Sequence, residues 1–314
     1  MNIALIGMDN YKGLGTLTRE WVEHMPVSKV FVRNDDKGYL EGAVCGNHPR
    51  QYMNWLTKDV DVLISLETPF PSLFQKAESN NIKTVLKVNY EFLSESIAYE
   101  PNLYLCSSDK NYQAVESSDK KLIPDPVNCE KIDYHNRKEA NTFLHNAGTG
   151  GINGANGTKE LIEAMKHVES DIELVVRSQE PLECNDGRVT VENKTYENYW
   201  DMYGKEYDVF VSPQKFRATS LPIQEALASG MPVLSTDIPP FDRQANWTVE
   251  PSDVEKTSHR FHRPINIHTA KPEDIAQKID EIAGKNIKQE SKKAREYAET
   301  ISWNSLKKRL CKIL

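Results

Sequence analysis

The 314 residues contain no C-x-x-C pair, no G-x-x-x-x-G-K-[ST] loop and no apolar run approaching a membrane span of roughly 20 residues. Each absence removes a class of function. The five cysteines are scattered and odd in number, which argues against a disulfide framework or a cysteine-based zinc site. Lacking a Walker-type loop, the chain is not a P-loop nucleotide hydrolase. The N-terminal stretch MNIALIGMDNYKGLG has no basic leader, so a cytoplasmic location is expected. Positive charge is also short: 39 Lys and Arg against 46 Asp and Glu leave −7, which weakens any reading based on general affinity for nucleic acid. The tail is the exception, with nine Lys or Arg against three Glu from Lys285 to Leu314. Its apolar positions Tyr297, Ile301, Leu306 and Leu310 suit a helical stripe, and its basic face could meet an anionic surface or DNA.

What is present alternates. Apolar strands are expected at 2–8, 29–33, 60–66, 82–88 and 103–107, with helices near 16–24, 49–58, 70–79 and 108–117. A second series follows, with strands at 142–146, 172–177 and 188–191 and helices at 158–169, 196–204 and 272–283. Strands alternating with helices predict parallel, doubly wound sheets, so the fold class is α/β with two Rossmann-like halves. The polar, two-proline segment 123–141 is the natural linker.

The densest information lies in DVFVSPQKFRATSLPIQEALASGMPVLSTDIPP, residues 208–240. A short apolar strand leads through a polar loop to a helix that Ser220 or Leu221 can cap. Pro222 suits its first turn and Gly230 its end. Glu225 is expected in the first turn of that helix, at the carboxyl end of a parallel strand, where open sheets bind ligands.

Through Arg217, Ala218, Thr219, Ser220, Leu221, Pro222, Glu225, Ala226, Ala228, Gly230, Pro232 and Val233, this stretch resembles the donor-site signature of GT-B glycosyltransferases of family 4, E-G-F-G-L-P-x-x-E-A-x-A-x-G-x-P-V. IPDPVN resembles the joint between GT-B domains, and ISWNSLKKRL the helix that crosses back to the first domain. The resemblance implies an acceptor-side domain over 1–128 and a nucleotide-sugar domain over 136–290. It also implies a cleft between them and a helix over 291–314 packed back on the first.

It further implies retention of anomeric configuration, no cofactor or metal beyond the nucleoside-diphosphate sugar, and Glu225 as acceptor for the ribose hydroxyls. The signature's first Glu is replaced by Arg217. In the glycine-rich loop 146–165, Thr149 and Asn156 stand where the family carries Arg and Lys, so Arg177, Arg217, Lys215 or Lys159 would have to meet the diphosphate. The implied catalytic set is Arg177, Arg217 and Glu225. Donor contacts fall to Gly148, Thr149, Gly150, Gly151, Asn156, Thr219, Ser220 and Leu221, besides Glu225.

In the first half, Gly13, Gly15 and Thr16 follow the first strand, while Glu67, Asn89 and Tyr90 follow later ones, all as acceptor-side residues. Residues 10–20 are not a full G-x-G-x-x-G, which disfavours a nicotinamide enzyme. His259 and His262 lack a carboxylate at helical spacing, so a metal site there is disfavoured. The acceptor could be a glycan, a lipid-linked or a small molecule. Alternatives are a phage-like transferase acting on hydroxymethylated DNA bases and a non-catalytic nucleotide-sugar binding module.

Overall fold

The computed structural model describes all residues except 11, 36–39, 47, 94–98, 194–198 and 258–262. It divides into two compact units, one holding Met1–Asp125, Arg263 and Trp303–Leu314, the other Pro126–Thr257 and Pro264–Ser302.

The first unit is built on seven strands, β1 (Ile3–Asp9), β2 (Val27–Asp35), β3 (Val44–Cys45), β4 (Val62–Leu66), β5 (Lys83–Lys87), β6 (Leu103–Cys106) and β7 (Lys120–Leu122). All pair in parallel in the order β3-β2-β1-β4-β5-β6-β7. β4 reads VLISL and is buried at every position, because helices on the faces of a parallel sheet exclude water from both. Those helices are α1 (Gly13–His24), α2 (Pro49–Trp55), α3 (Pro71–Ser79) and α4 (Asp109–Ala114). Order reverses on either side of β1, so the crevice above the β1 and β4 ends is this unit's switch point.

The second unit repeats the scheme with β8 (Thr142–Gly148), β9 (Glu173–Ser178), β10 (Val189–Glu192), β11 (Val209–Ser212), β12 (Val233–Thr236) and β13 (Trp247–Val249), in the order β10-β9-β8-β11-β12-β13. α5 (Thr158–Ala164), α6 (Leu221–Ala228), α7 (Phe241–Gln244), α8 (Pro272–Ile282) and α9 (Lys288–Thr300) accompany it. Its core joins Phe143, Leu161, Met165, Val176 and Val211 to Ile275 and Ile279 of α8.

Several elements depart from the sequence reading. The segment read as a linker, 123–141, holds no helix or strand and contains the boundary between the two units at Asp125–Pro126, but its later part is tied to the second unit: Val127 bridges to Ser302, His135 N–H donates to Ser229 O, and Arg137 N–H donates to Ser291 Oγ. The helix read at 158–169 stops at Ala164. The helix read at 196–204 is a 3-10 turn at Tyr199–Tyr203, its earlier residues lying outside the described ones. An antiparallel pair, β14 (Asp253–Thr257) with β15 (Ile265–Thr269), stands on either side of residues 258–262 in the sequence; His259 and His262 lie outside the described residues. The tail forms two helices rather than one. α9 groups with the second unit and α10 (Trp303–Ile313) with the first, where Trp303 meets Trp21 edge-on at 5.8 Å.

Candidate functional site

The second unit's switch point lies between β8 and β11, which pair directly through Phe143–Val209 and Leu144–Phe210. The glycine-rich loop leaves the first of these strands and the loop carrying Arg217 leaves the second, so topology alone brings both to one edge. Three contacts lock them together. Lys215 N–H donates to Ala155 O at 2.9 Å. Gln214 Nε2 donates to Asn156 Oδ1 at 3.2 Å. Gly157, at φ +73°, lies so close to Pro213 that a Cβ would sit 2.3 Å from its carbonyl oxygen. Both features at that position demand glycine.

Beneath the loops, His145 is fully buried and bridges the two elements, Nδ1 lying 2.7 Å from Val211 O and Nε2 2.8 Å from Thr158 Oγ1. Burial pushes its pKa down to about 4, so the ring is neutral, donating to the carbonyl and accepting from the hydroxyl.

Leu221 opens α6 with Pro222 next, and Gly230 at φ +80° closes it. Glu225 consequently stands in the second turn, one turn deeper than expected, and is only 3% exposed. Its Oε2 accepts from Tyr199 at 2.9 Å and from Tyr203 at 2.5 Å. Burial, and next the Glu225 charge, holds the Tyr203 phenol well above its usual range. The two phenols hold the buried carboxylate in place. Sequence reasoning missed both tyrosines. Their i, i+4 spacing immediately before β11 was the available signal.

The expected phosphate cations are disposed differently. Arg177 is buried at the end of β9 and engages the Glu192 carboxylate at 3.2 Å, the Tyr207 hydroxyl at 2.9 Å and the Met202 carbonyl. β9 and β10 pair Arg177 with Glu192 in register, so that ion pair belongs to the sheet. Lys215 Nζ donates to Glu160 Oε1 at 2.7 Å and its carbonyl accepts from His268 N–H, which makes it a staple among α5, the loop and β15. Lys159 is exposed and Arg217 half-buried. Asn156 Nδ2 donates to Asn146 O at 2.7 Å and so shapes the loop. Gly148 and Gly151 take φ +58° and +52°, turning the chain around Thr149 and Gly150. Thr219, Ser220 and Leu221 lead into α6, where first-turn N–H groups lack intrahelical acceptors; Ser220 makes no side-chain cap.

The residues expected on the acceptor side follow the carboxyl ends of β1, β4 and β5 in the first unit's sheet. Gly13 opens α1, and Gly15 packs where a Cβ would lie 2.1 Å from Asn10 O. Arg19 ties this turn, reaching Asp9 Oδ1 at 3.3 Å, Asn10 O at 3.0 Å and Thr16 Oγ1 at 3.3 Å. Glu67 sits at φ +67°, a conformation that costs a side-chain-bearing residue strain. Beside it Lys87 is buried and paired with Asp125 at 3.0 Å; burial depresses its pKa, but Asp125, Glu67 and Glu91 outweigh it and the net direction is up. Asn89 Oδ1 accepts from Glu91 N–H, a turn role. The Tyr90 ring has Lys110 Nζ and the Arg263 guanidinium each 4.8 Å from its centroid. Elsewhere among the described residues Glu20, Glu23 and His24 cluster, but on the far end of α1, where His24 stacks on Trp303 at 4.7 Å.

Residues 148–266, spanning both site loops, match the family model for glycosyl transferases group 1. No curated protein matches the chain. Among solved structures, a glycosyltransferase from Rickettsia africae is similar over 99% of this chain and 97% of its own, with TM-score 0.70 at 15% identity. Sucrose-phosphate synthase from Thermosynechococcus elongatus aligns over 100% and 98%, with TM-score 0.72 at 13% identity. The Anabaena protein HepE, in complex with UDP-glucose, aligns over 99% and 98%, with TM-score 0.70 at 11% identity.

Proposed function

We propose that this chain, a GT-B protein whose second unit carries a group 1 glycosyltransferase domain, moves a sugar from a UDP-sugar to an acceptor with retention at the anomeric carbon. The carrying observation is the convergence of the glycine-rich loop and the Glu225 helix on one switch point, with a buried carboxylate set there between two phenols. The UDP choice follows from the UDP-glucose bound by the similarly folded HepE.

In this reading Glu225 accepts from the ribose hydroxyls. Backbone N–H groups of Thr219–Leu221 and of the Gly148–Gly151 turn face the diphosphate. Arg217 adds positive charge, whereas Arg177 acts indirectly by fixing the segment that carries Tyr203. The leaving phosphate takes the acceptor proton on the same face, so the protein supplies placement and preorganised dipoles rather than a covalent nucleophile. Neither a metal nor a cofactor enters this scheme. Gly13, Gly15, Thr16, Glu67, Asn89 and Tyr90 serve the acceptor.

Thermal unfolding with UDP, GDP and ADP tests the reading. UDP near 100 times its dissociation constant should add about 2.7 kcal/mol, and Glu225→Ala should abolish the shift. An undiminished shift in that variant overturns the site. A binding-only role gains support from neutral Thr149 and Asn156 and from the internal bonds of Arg177. Release of UDP from UDP-glucose in the presence of acceptor separates the two.

A further inference from the structure

Residues 303–314, WNSLKKRLCKIL, contain four basic residues and no acidic one. Trp303, Leu306 and Leu310 recur on one helical face and are buried. Lys307, Lys308, Arg309 and Lys312 are exposed. Neighbouring α9 handles its charge otherwise: Lys292 pairs with Glu296 at 3.5 Å and Arg295 with Glu299 at 2.9 Å. On α10 no ion pair engages the four cations among the described residues. Arg309 Nη2 donates to Leu122 O at 2.9 Å, which sets the helix against the edge strand β7 and adds exposed Lys121 to the same patch. In a chain of net charge −7 these five cations thus form no ion pair among the described residues.

We infer that the outer face of α10, with Lys121, docks the protein on an anionic phospholipid bilayer. Three features select that partner over a nucleic acid. Asn304, Ser305 and Cys311 share the exposed face with the cations, and no aromatic ring there offers a base a stacking surface. Lysine outnumbers arginine four to one in the patch, giving point charges suited to a diffuse headgroup layer rather than forked phosphate contacts. Ile313 and Leu314, half-exposed at the end of the helix, place apolar side chains beside the charges. No described helix is long and apolar enough to cross a membrane, so the contact is peripheral. Docking requires neither donor nor acceptor, so it stands or falls apart from the transfer reading.

Sedimentation of the full chain with vesicles tests it. Binding is expected to mixed phosphatidylglycerol–phosphatidylcholine vesicles, not to phosphatidylcholine alone, and should fall as salt rises. The triple variant Lys307→Gln, Lys308→Gln, Lys312→Gln should lose about 100-fold in partitioning with unchanged Tm. Replacing the same three by Arg should retain binding, and Lys292→Gln with Lys293→Gln should not alter it. Absent binding to the mixed vesicles, or an unaffected triple variant, overturns the proposal. Tighter binding to a short duplex DNA at the same ionic strength would overturn it in favour of a nucleic-acid partner.

Discussion

The Tyr203 hydroxyl lies 2.5 Å from Glu225 Oε2, a hydrogen bond that joins the 3-10 turn before β11 to the second turn of α6. Tyr199 donates to the same oxygen, so two phenols aim the carboxylate. Tyr203→Phe should weaken UDP binding through misplacement of Glu225, at a cost of about 2 kcal/mol for a charge-assisted bond. Calorimetric titration measures it. A variant that binds UDP like the wild type would show that Tyr203 only fills space.

His145 makes stability depend on acid. Its folded pKa is about 4, against about 6.5 unfolded. The unfolded chain takes up the proton first, so the contribution is complete above about pH 6.5 and fades as the pH falls toward 4. By about pH 5 the loss is about 2 kcal/mol. His145→Gln should be less stable near neutrality yet flatter across that window in urea unfolding. An equally steep profile in the variant would assign the acid sensitivity to another group.

At Gly157 the backbone conformation and the contact with Pro213 oppose any side chain. Gly157→Ala should cost about 2 kcal/mol or more through left-handed strain and the clash. UDP affinity should fall with it, because the displaced loop carries the N–H groups. Stability falling while affinity holds would detach the loop from the donor.

Glu67 combines a left-handed backbone with a carboxylate near Lys87. Glu67→Gly and Glu67→Ala both delete the charge, but only glycine relieves the backbone. Glycine should be the more stable by about 1 kcal/mol in denaturant unfolding. Equal stabilities would mean the turn relaxes without strain.

Residue patterns made the two sheets and the bounds of α6 legible, because apolar strand runs, Pro222 and Gly230 act locally. Contacts far apart in sequence were not legible. Arg177 looked free for phosphate until the register placed Glu192 beside it, and Lys215 until Glu160 and His268 closed around it. Lys87 interrupts an apolar strand as a solvent-facing residue would, yet Asp125, 38 positions later, lets it stay buried. The β14–β15 pair carries polar and charged residues along β14 and so reads as loop.

Lys215 has a further consequence for motion. Its N–H is held by Ala155, its carbonyl by His268 and its ammonium by Glu160, so both site loops and the β14–β15 pair share one fastening point. Neither loop can open alone without breaking that point. Their amide protons should therefore exchange with solvent as a single cooperative unit. A ligand touching either loop would then slow the clock of both.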